Sequence, residues 1–192
     1  MTPTIRPATA ADADLLLRAI DLASEGLIPT LWAEYAPEGM TPEELGRMTV
    51  VEEAGEFSHR NALVAETAGQ PAGALICYRL PDPPEPDSMP LPPEFKPLKD
   101  LEGRVPGWWY INVIAVLPEA QGQGVGAALM DAAADAARAA NAPGVALIVA
   151  ASNGGALRFY TRLGFAEAAR CPFDTTAYGA APTEAILMTK PV

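Results

Sequence analysis

Glycine recurs at every second position in Pro118-Glu119-Ala120-Gln121-Gly122-Gln123-Gly124-Val125-Gly126-Ala127, between an apolar run and an alanine-rich run. Glycine lets backbone approach a ligand closely, and a helix that starts here leaves its first N–H groups without intrahelical partners. Those donors, at the positive end of the helix dipole, favour an anion. A strand, a glycine loop and a helix in that order imply a ligand bearing phosphate.

Two nucleotide readings can be weighed on the residues. A triphosphate loop requires Gly-Lys-Ser/Thr at its end, and Gly126-Ala127-Ala128 excludes it. Gly122, Gly124 and Ala127 do satisfy the dinucleotide spacing G-x-G-x-x-G/A. That reading also demands an acidic residue after the next strand, to hold a ribose hydroxyl. The next apolar run, 144–151, continues into Ser152-Asn153 and contains no carboxylate. Dinucleotide binding therefore ranks below other phosphate-bearing ligands.

The pattern Val116-x-Pro118-x-x-Gln121-x-x-Gly124-x-Gly126-x-x-Leu129 resembles the acetyl-CoA motif of the GCN5-related N-acetyltransferases. A second segment, Asn153-x-x-Ala156-x-x-Phe159-Tyr160-x-x-x-Gly164-Phe165, is similar to that family's asparagine-then-helix motif with its Gly-Phe turn. The opening Ile5-Arg6-Pro7-Ala8-Thr9 also resembles the family's start. The match covers most of the chain outside 25–59 and 81–107. It implies an acetyl-CoA-dependent N-acetyltransferase acting by direct attack of a primary amine, on a small molecule or a peptide. A non-catalytic acyl-CoA sensor is the alternative.

The resemblance also distributes roles. Gln121, Gly122, Gln123, Gly124, Val125, Gly126 and Ala127 would hold the diphosphate. The strand end Ile114, Ala115 and Val116 would pair with the pantetheine arm and polarise the thioester carbonyl. Tyr160 would protonate the leaving thiolate; its own residues also allow a core role, because 156, 159, 160 and 163 form one helical stripe. Asn153 would contact the pantetheine or diphosphate arm, or cap the next helix. Tyr110 and Asn112, on one strand face, are the catalytic candidates where many relatives carry a glutamate or histidine base; neither is a base, and each could only orient a water that takes the proton. Glu34, Glu66 and His59 are unranked alternatives, His59 being read as a surface residue. Trp32, Glu34 and Tyr35 fall where the family covers its acceptor pocket, and an aromatic–acid cluster suits a cationic amine.

Composition bounds the rest. At 192 residues with 49% apolar content, one domain with a sizeable core is expected. No apolar run approaches the roughly 18 residues that span a bilayer, and the N-terminus lacks a secretory pattern. A cytoplasmic protein is the expectation. Cys77 and Cys171 are expected as separate thiols, and a single histidine argues against a metal site. The net charge of −11 argues against nucleic acid and is compatible with a cationic acceptor or with ordinary solubility. A homodimer stays open.

These elements must position the chemistry. A strand at 4–7 leads to a helix near 10–23. Segment 25–59 is a helical insertion, with one helix near 29–35 and another capped by Thr41 with Pro42 at its first position. A hairpin is expected from 61–66 and 72–80. The nine prolines of 81–107 predict an extended loop without regular structure. Strand 108–116, the helix from 126, buried strand 144–151 and helix 155–163 follow, with Gly164 ending the last. Closing strands at 165–169 and 184–189 surround a loop at 171–182. The whole is a mixed α/β fold: one twisted sheet of six to seven strands flanked by helices.

Overall fold

A computed structural model describes residues 2–84, 92–179 and 181–192. The chain forms β1 (Thr4–Pro7), α1 (Ala13–Ser24), α2 (Leu27–Tyr35), α3 (Pro42–Val51), β2 (Ala62–Thr67), β3 (Gln70–Arg79) and α4 (Lys96–Glu102). It continues through β4 (Trp109–Val116), α5 (Val125–Ala139), β5 (Gly144–Ala150), α6 (Gly154–Arg162), β6 (Ala166–Phe173) and β7 (Thr183–Pro191). The strands make one mixed sheet in the order β1-β2-β3-β4-β5-β7-β6, so the expected fold class is the observed one. Two compact units divide the chain: Met1–Tyr78 with Ile111–Ala133, and Arg79–Tyr110 with Ala134–Val192.

In the first unit, alternation along the strands sends Ala62, Val64, Ala74, Ile76, Val113 and Ala115 into one cluster. Leu16, Ala19 and Ile20 of α1 and Val50 of α3 complete it, each fully buried. Helix α1 ends where Glu25 and Gly26 both take left-handed backbone, which turns the chain into α2. Helix α3 starts on a full capping box. The Thr41 hydroxyl accepts from Glu44 N–H at 3.2 Å, and the Glu44 carboxylate accepts from Thr41 N–H at 2.7 Å. Gly46 lets α3 close on α2, since a Cβ there would stand 2.4 Å from the Trp32 ring. The hairpin between β2 and β3 turns through Ala68 and Gly69 at φ 53° and 72°, a two-residue turn of the primed kind.

The second unit rests on antiparallel pairing of β7 with both β5 and β6. Gly144 permits a close approach: a Cβ would lie 2.5 Å from both the Lys190 carbonyl and the Trp108 ring. Strand β6 runs on to Phe173, beyond the expected end near 169, because Cys171 to Phe173 still pair with Ala185 to Thr183.

The proline-rich segment departs from expectation. Residues 85–91 lie outside the described residues, but α4 occupies 96–102. Most of the prolines precede residue 94, and Pro97 falls in the helix's first turn, where its missing N–H costs nothing. Leu101 is 1% exposed, and Lys99 pairs with Glu102 at 2.9 Å. Phe95 then packs edge-on against Phe173 and Tyr178, tying the segment to β6 and the turn beyond it.

A charge cluster fastens β1. Arg6 bonds Glu66 of β2 and both oxygens of Asp12 at 2.7–2.9 Å. Hydrogen bonding from Arg6 holds the Asp12 carboxyl at about 2, against an ordinary 3.8. A pKa lowered on folding stabilises above the unfolded value, and the benefit is lost as pH falls through the folded one. Allowing for solvent at Arg6, the contribution is about 1–2 kcal/mol. Asp12→Asn should therefore lower neutral-pH stability by about that amount. It should also flatten the loss of stability between pH 3.8 and about 2. Urea unfolding across that range checks both.

Candidate active site

The glycine loop opens α5 as expected, one residue earlier. Pro118–Ala120 form a single 3-10 turn, and Gly122 and Gly124 take φ of 75° and 81°. The first repeating helical bond runs from Ala128 N–H to the Gly124 carbonyl at 3.1 Å. The N–H groups of Val125, Gly126 and Ala127 precede it, on backbone that no helix turn covers. Val125 is buried, Gly126 and Ala127 are half-buried, and Gln121 to Gly124 are exposed. No atom lies within 4 Å of where a Cβ on Gly122 or Gly124 would stand. The loop is an open cradle of donors, suited to a diphosphate.

Two side chains hold the cradle, and the sequence pattern reveals neither contact. Arg18 of α1 grips Glu119 bidentately at 2.9 and 3.0 Å. Hydrogen bonding from Arg18 lowers the Glu119 carboxyl below the usual range. Gln123 turns back, its amide donating to the Glu119 carbonyl at 3.2 Å. Gln123 thus braces the loop from within, while Gln121 faces solvent.

Strand β4 leads into the loop with two unlike faces. Ile111, Val113 and Ala115 are buried, whereas Asn112, Ile114 and Val116 are half-exposed. The half-exposed residues give the strand end an accessible side, as an acyl arm requires. Leu117 N–H bonds the Ala72 carbonyl at 2.9 Å and fixes where the strand stops. The Asn112 amide donates to the Glu56 carbonyl at 3.5 Å. Tyr110 is 5% exposed and belongs to the second unit.

Asn153 and Tyr160 also belong to the second unit. Asn153 caps α6, its Oδ1 accepting from Ala156 N–H at 3.0 Å. Tyr160 is the buried member of its stripe, 8% exposed, between the rings of Phe159 and Phe165 at 5.5 and 6.0 Å, while Ala156, Phe159 and Leu163 are half-buried. Gly164, at φ 89°, closes the helix with paired bonds from Gly164 and Phe165 N–H to Thr161 and Tyr160 carbonyls. That turn is what lays Phe165 against Tyr160. Burial pushes the Tyr160 hydroxyl up to about 12.

The remaining candidates separate. Trp32 is half-buried, edge-on to Phe57 at 6.3 Å and facing Gly46, while Glu34 and Tyr35 are exposed. Glu66 is engaged by Arg6. His59 is not the surface residue expected: it is 6% exposed, with Nδ1 3.1 Å from the Val50 carbonyl at the end of α3. Its polar neighbours in sequence concealed that it turns under the helix.

The model of the acetyltransferase (GNAT) family matches residues 28–165, and the chain belongs to that family. It is an acyltransferase, of a family that uses acetyl-CoA. An acetyltransferase crystal structure is similar at TM-score 0.68 and 20% identity, over 98% of this chain and 99% of that one. The ribosomal-protein-alanine N-acetyltransferase of Brucella melitensis is similar at TM-score 0.63 and 21% identity, over 98% and 99%. Ard1 from Thermoplasma volcanium gives TM-score 0.62 at 21% identity, over 100% and 99%. At these identities the likeness is one of fold. No curated protein matches the sequence. Among the described residues, no helix is long and apolar enough to cross a membrane.

The open space around Gly124 defines a test. Valine meets no neighbour there but must adopt a left-handed backbone and fills the cradle, whereas asparagine tolerates the backbone and fills it equally. Gly124→Val and Gly124→Asn should both weaken CoA binding at least tenfold, about 1.4 kcal/mol, with only the valine losing much stability. Calorimetry with CoA, beside thermal unfolding, separates the two effects.

Proposed function

We propose that this acetyltransferase moves the acetyl group of acetyl-CoA to a primary amine, on a small molecule or a peptide, by direct attack. The whole chain, 1–192, is taken to act as one catalytic domain. The observation that carries this is the donor cradle at 121–127, opening a helix directly after a strand with an accessible side.

Bound acetyl-CoA would supply an acyl group activated as a thioester. The N–H groups of Val125, Gly126 and Ala127 would hold the diphosphate, with the open space at Gly122 and Gly124 leaving room for it. Backbone N–H at 114–116 would polarise the thioester carbonyl as the amine nitrogen forms its bond to carbon. Tyr160 would give its phenolic proton to the thiolate as the carbon–sulfur bond breaks, and recover one from solvent. Burial keeps the phenol protonated throughout the working range but also makes it a weaker acid, so a donor role would rest on its placement beside the departing sulfur. Asn153 is taken to serve both as cap and as a contact of the cofactor arm.

The amine must also lose a proton. Tyr110 is buried and Asn112 is a neutral amide, so a water held near Asn112 is the simplest carrier. Trp32, Glu34 and Tyr35 are proposed at the acceptor side. There the exposed Glu34 and Tyr35 would meet a cationic amine, with Trp32 fixing their helix from below.

Thiol release with an amine panel tests the assignment; no acetyl transfer to any amine would refute it. Tyr160→Phe should lower kcat ten- to a thousand-fold while the KM for acetyl-CoA changes little, because its proton moves only as the thiolate leaves. An equal kcat returns Tyr160 to the core stripe. The rate should rise with pH as the acceptor amine deprotonates. Tyr160 should add no falling limb until pH nears about 12, because a phenol of raised pKa stays a donor below that value. For a cationic acceptor kcat/KM should also fall as salt rises. A preference for anionic amines would remove the charge argument.

A further inference from the structure

The helical insertion carries a surface that includes none of the residues proposed for acetyl transfer. Gly39, Met40, Glu44, Arg47, Met48 and Val51 line a shallow groove of about 480 Å3 on the outer side of α3. Residues 44, 47, 48 and 51 share one helix face by the three-and-four repeat. Met48 is 47% exposed and Val51 38%, so large apolar side chains form the open floor. Methionine is flexible and polarisable, and adapts to apolar partners of varied shape.

The polar groups of the lining are already engaged. Glu44 caps Thr41, and Arg47 is held by Asp14 and Glu43. Around them the charge has one sign. Residues 34–56 contain seven glutamates, one arginine and no lysine. Glu38, just before the groove's first residue, and Glu52, just after its last, are both exposed. An apolar floor inside an acidic rim fits a segment that presents an apolar side chain between lysines or arginines.

We infer that this face of α3 docks a basic segment of another protein, with an apolar side chain seated among Met40, Met48 and Val51. Charge complementarity selects that occupant. A second copy of this chain would bring the same seven glutamates to the contact, and like charges oppose it. An anionic membrane surface is opposed on the same ground. None of the residues proposed for acetyl transfer lines this groove, so docking stands or falls separately.

The test uses fluorescence anisotropy with the full chain and a labelled synthetic peptide of about 12 residues, bearing lysines around a central Leu-Met pair. Two control peptides exchange the lysines for glutamates, or the Leu-Met pair for serines. The lysine peptide should bind, more weakly as salt rises, and both controls should fail. Met48→Asp and the pair Glu38→Lys, Glu52→Lys should each weaken binding at least tenfold, with kcat for thiol release at a saturating small amine unchanged. Circular dichroism checks that each variant folds. Should Met48→Asp unfold, the charge-reversed pair on exposed positions decides. Equal affinity for the glutamate peptide, or full binding by the charge-reversed pair, overturns the inference. A dimer in sedimentation that Met48→Asp dissolves also overturns it, in favour of self-association.

Discussion

A helix can offer its first turn to a ligand only if something else holds that turn down. Here the anchor is Val125, 1% exposed at the first position of α5, lying over β3 at Gly73. A Cβ on Gly73 would stand 3.2 Å from the Val125 side chain and 2.5 Å from the Ala115 carbonyl. The missing side chain in β3 therefore sets the height at which β4 and the start of α5 settle. Once Val125 is seated, Gly122 and Gly124 can turn the intervening backbone outward without strain. Burial on one side and openness on the other are a single arrangement, and the bidentate Arg18–Glu119 pair braces its flank.

A comparable division of labour governs α6. Phe159, Tyr160 and Phe165 bury one another, so Tyr160 owes its position to packing whatever its chemical part. A packed ring is a fixed ring, and a proton donor gains from being fixed. Desolvation raises the hydroxyl to about 12, which keeps the proton on oxygen through the working range and makes it a weaker acid toward a thiolate, so a donor role depends on position and not on acidity. A core role and a donor role thus share one packed position, which is why helical periodicity alone could not separate them.

What the residues disclosed in advance is local. The glycine loop, the Thr41 cap, the Gly164 helix end and the β2–β3 hairpin are each written within a short run of consecutive positions. Their dihedrals and bonds follow the residue types. What stayed hidden depends on distance along the chain or on compensation. Arg18 and Glu119 stand 101 residues apart, and nothing near either announces the other. Gly73 reads as a weak point in a strand until α5 is laid upon it. Proline density suggested an irregular segment through 81–107, yet Pro97 sits in a first turn where proline is harmless. His59 looked exposed by its neighbours and is held under α3 instead.

Charge imposes one further constraint on the chemistry proposed. A negative field draws cationic amines and raises their encounter rate, but it also favours the ammonium form that cannot attack. Relatives with a carboxylate or imidazole on the central strand would resolve this conflict locally. With an amide at Asn112, bonded to the Glu56 carbonyl, this chain has no such group at that position. On the proposed reading, attraction and deprotonation are separate demands on separate regions: distributed glutamates would gather the acceptor, and water near the strand would remove the proton. Such a separation suits amines whose pKa is already modest, such as peptide N-termini, better than strongly basic side-chain amines. An α-amino group, ordinarily near 8, loses its proton to water far more readily than a lysine near 10.4, so a water carrier of the kind proposed would serve α-amino acceptors better.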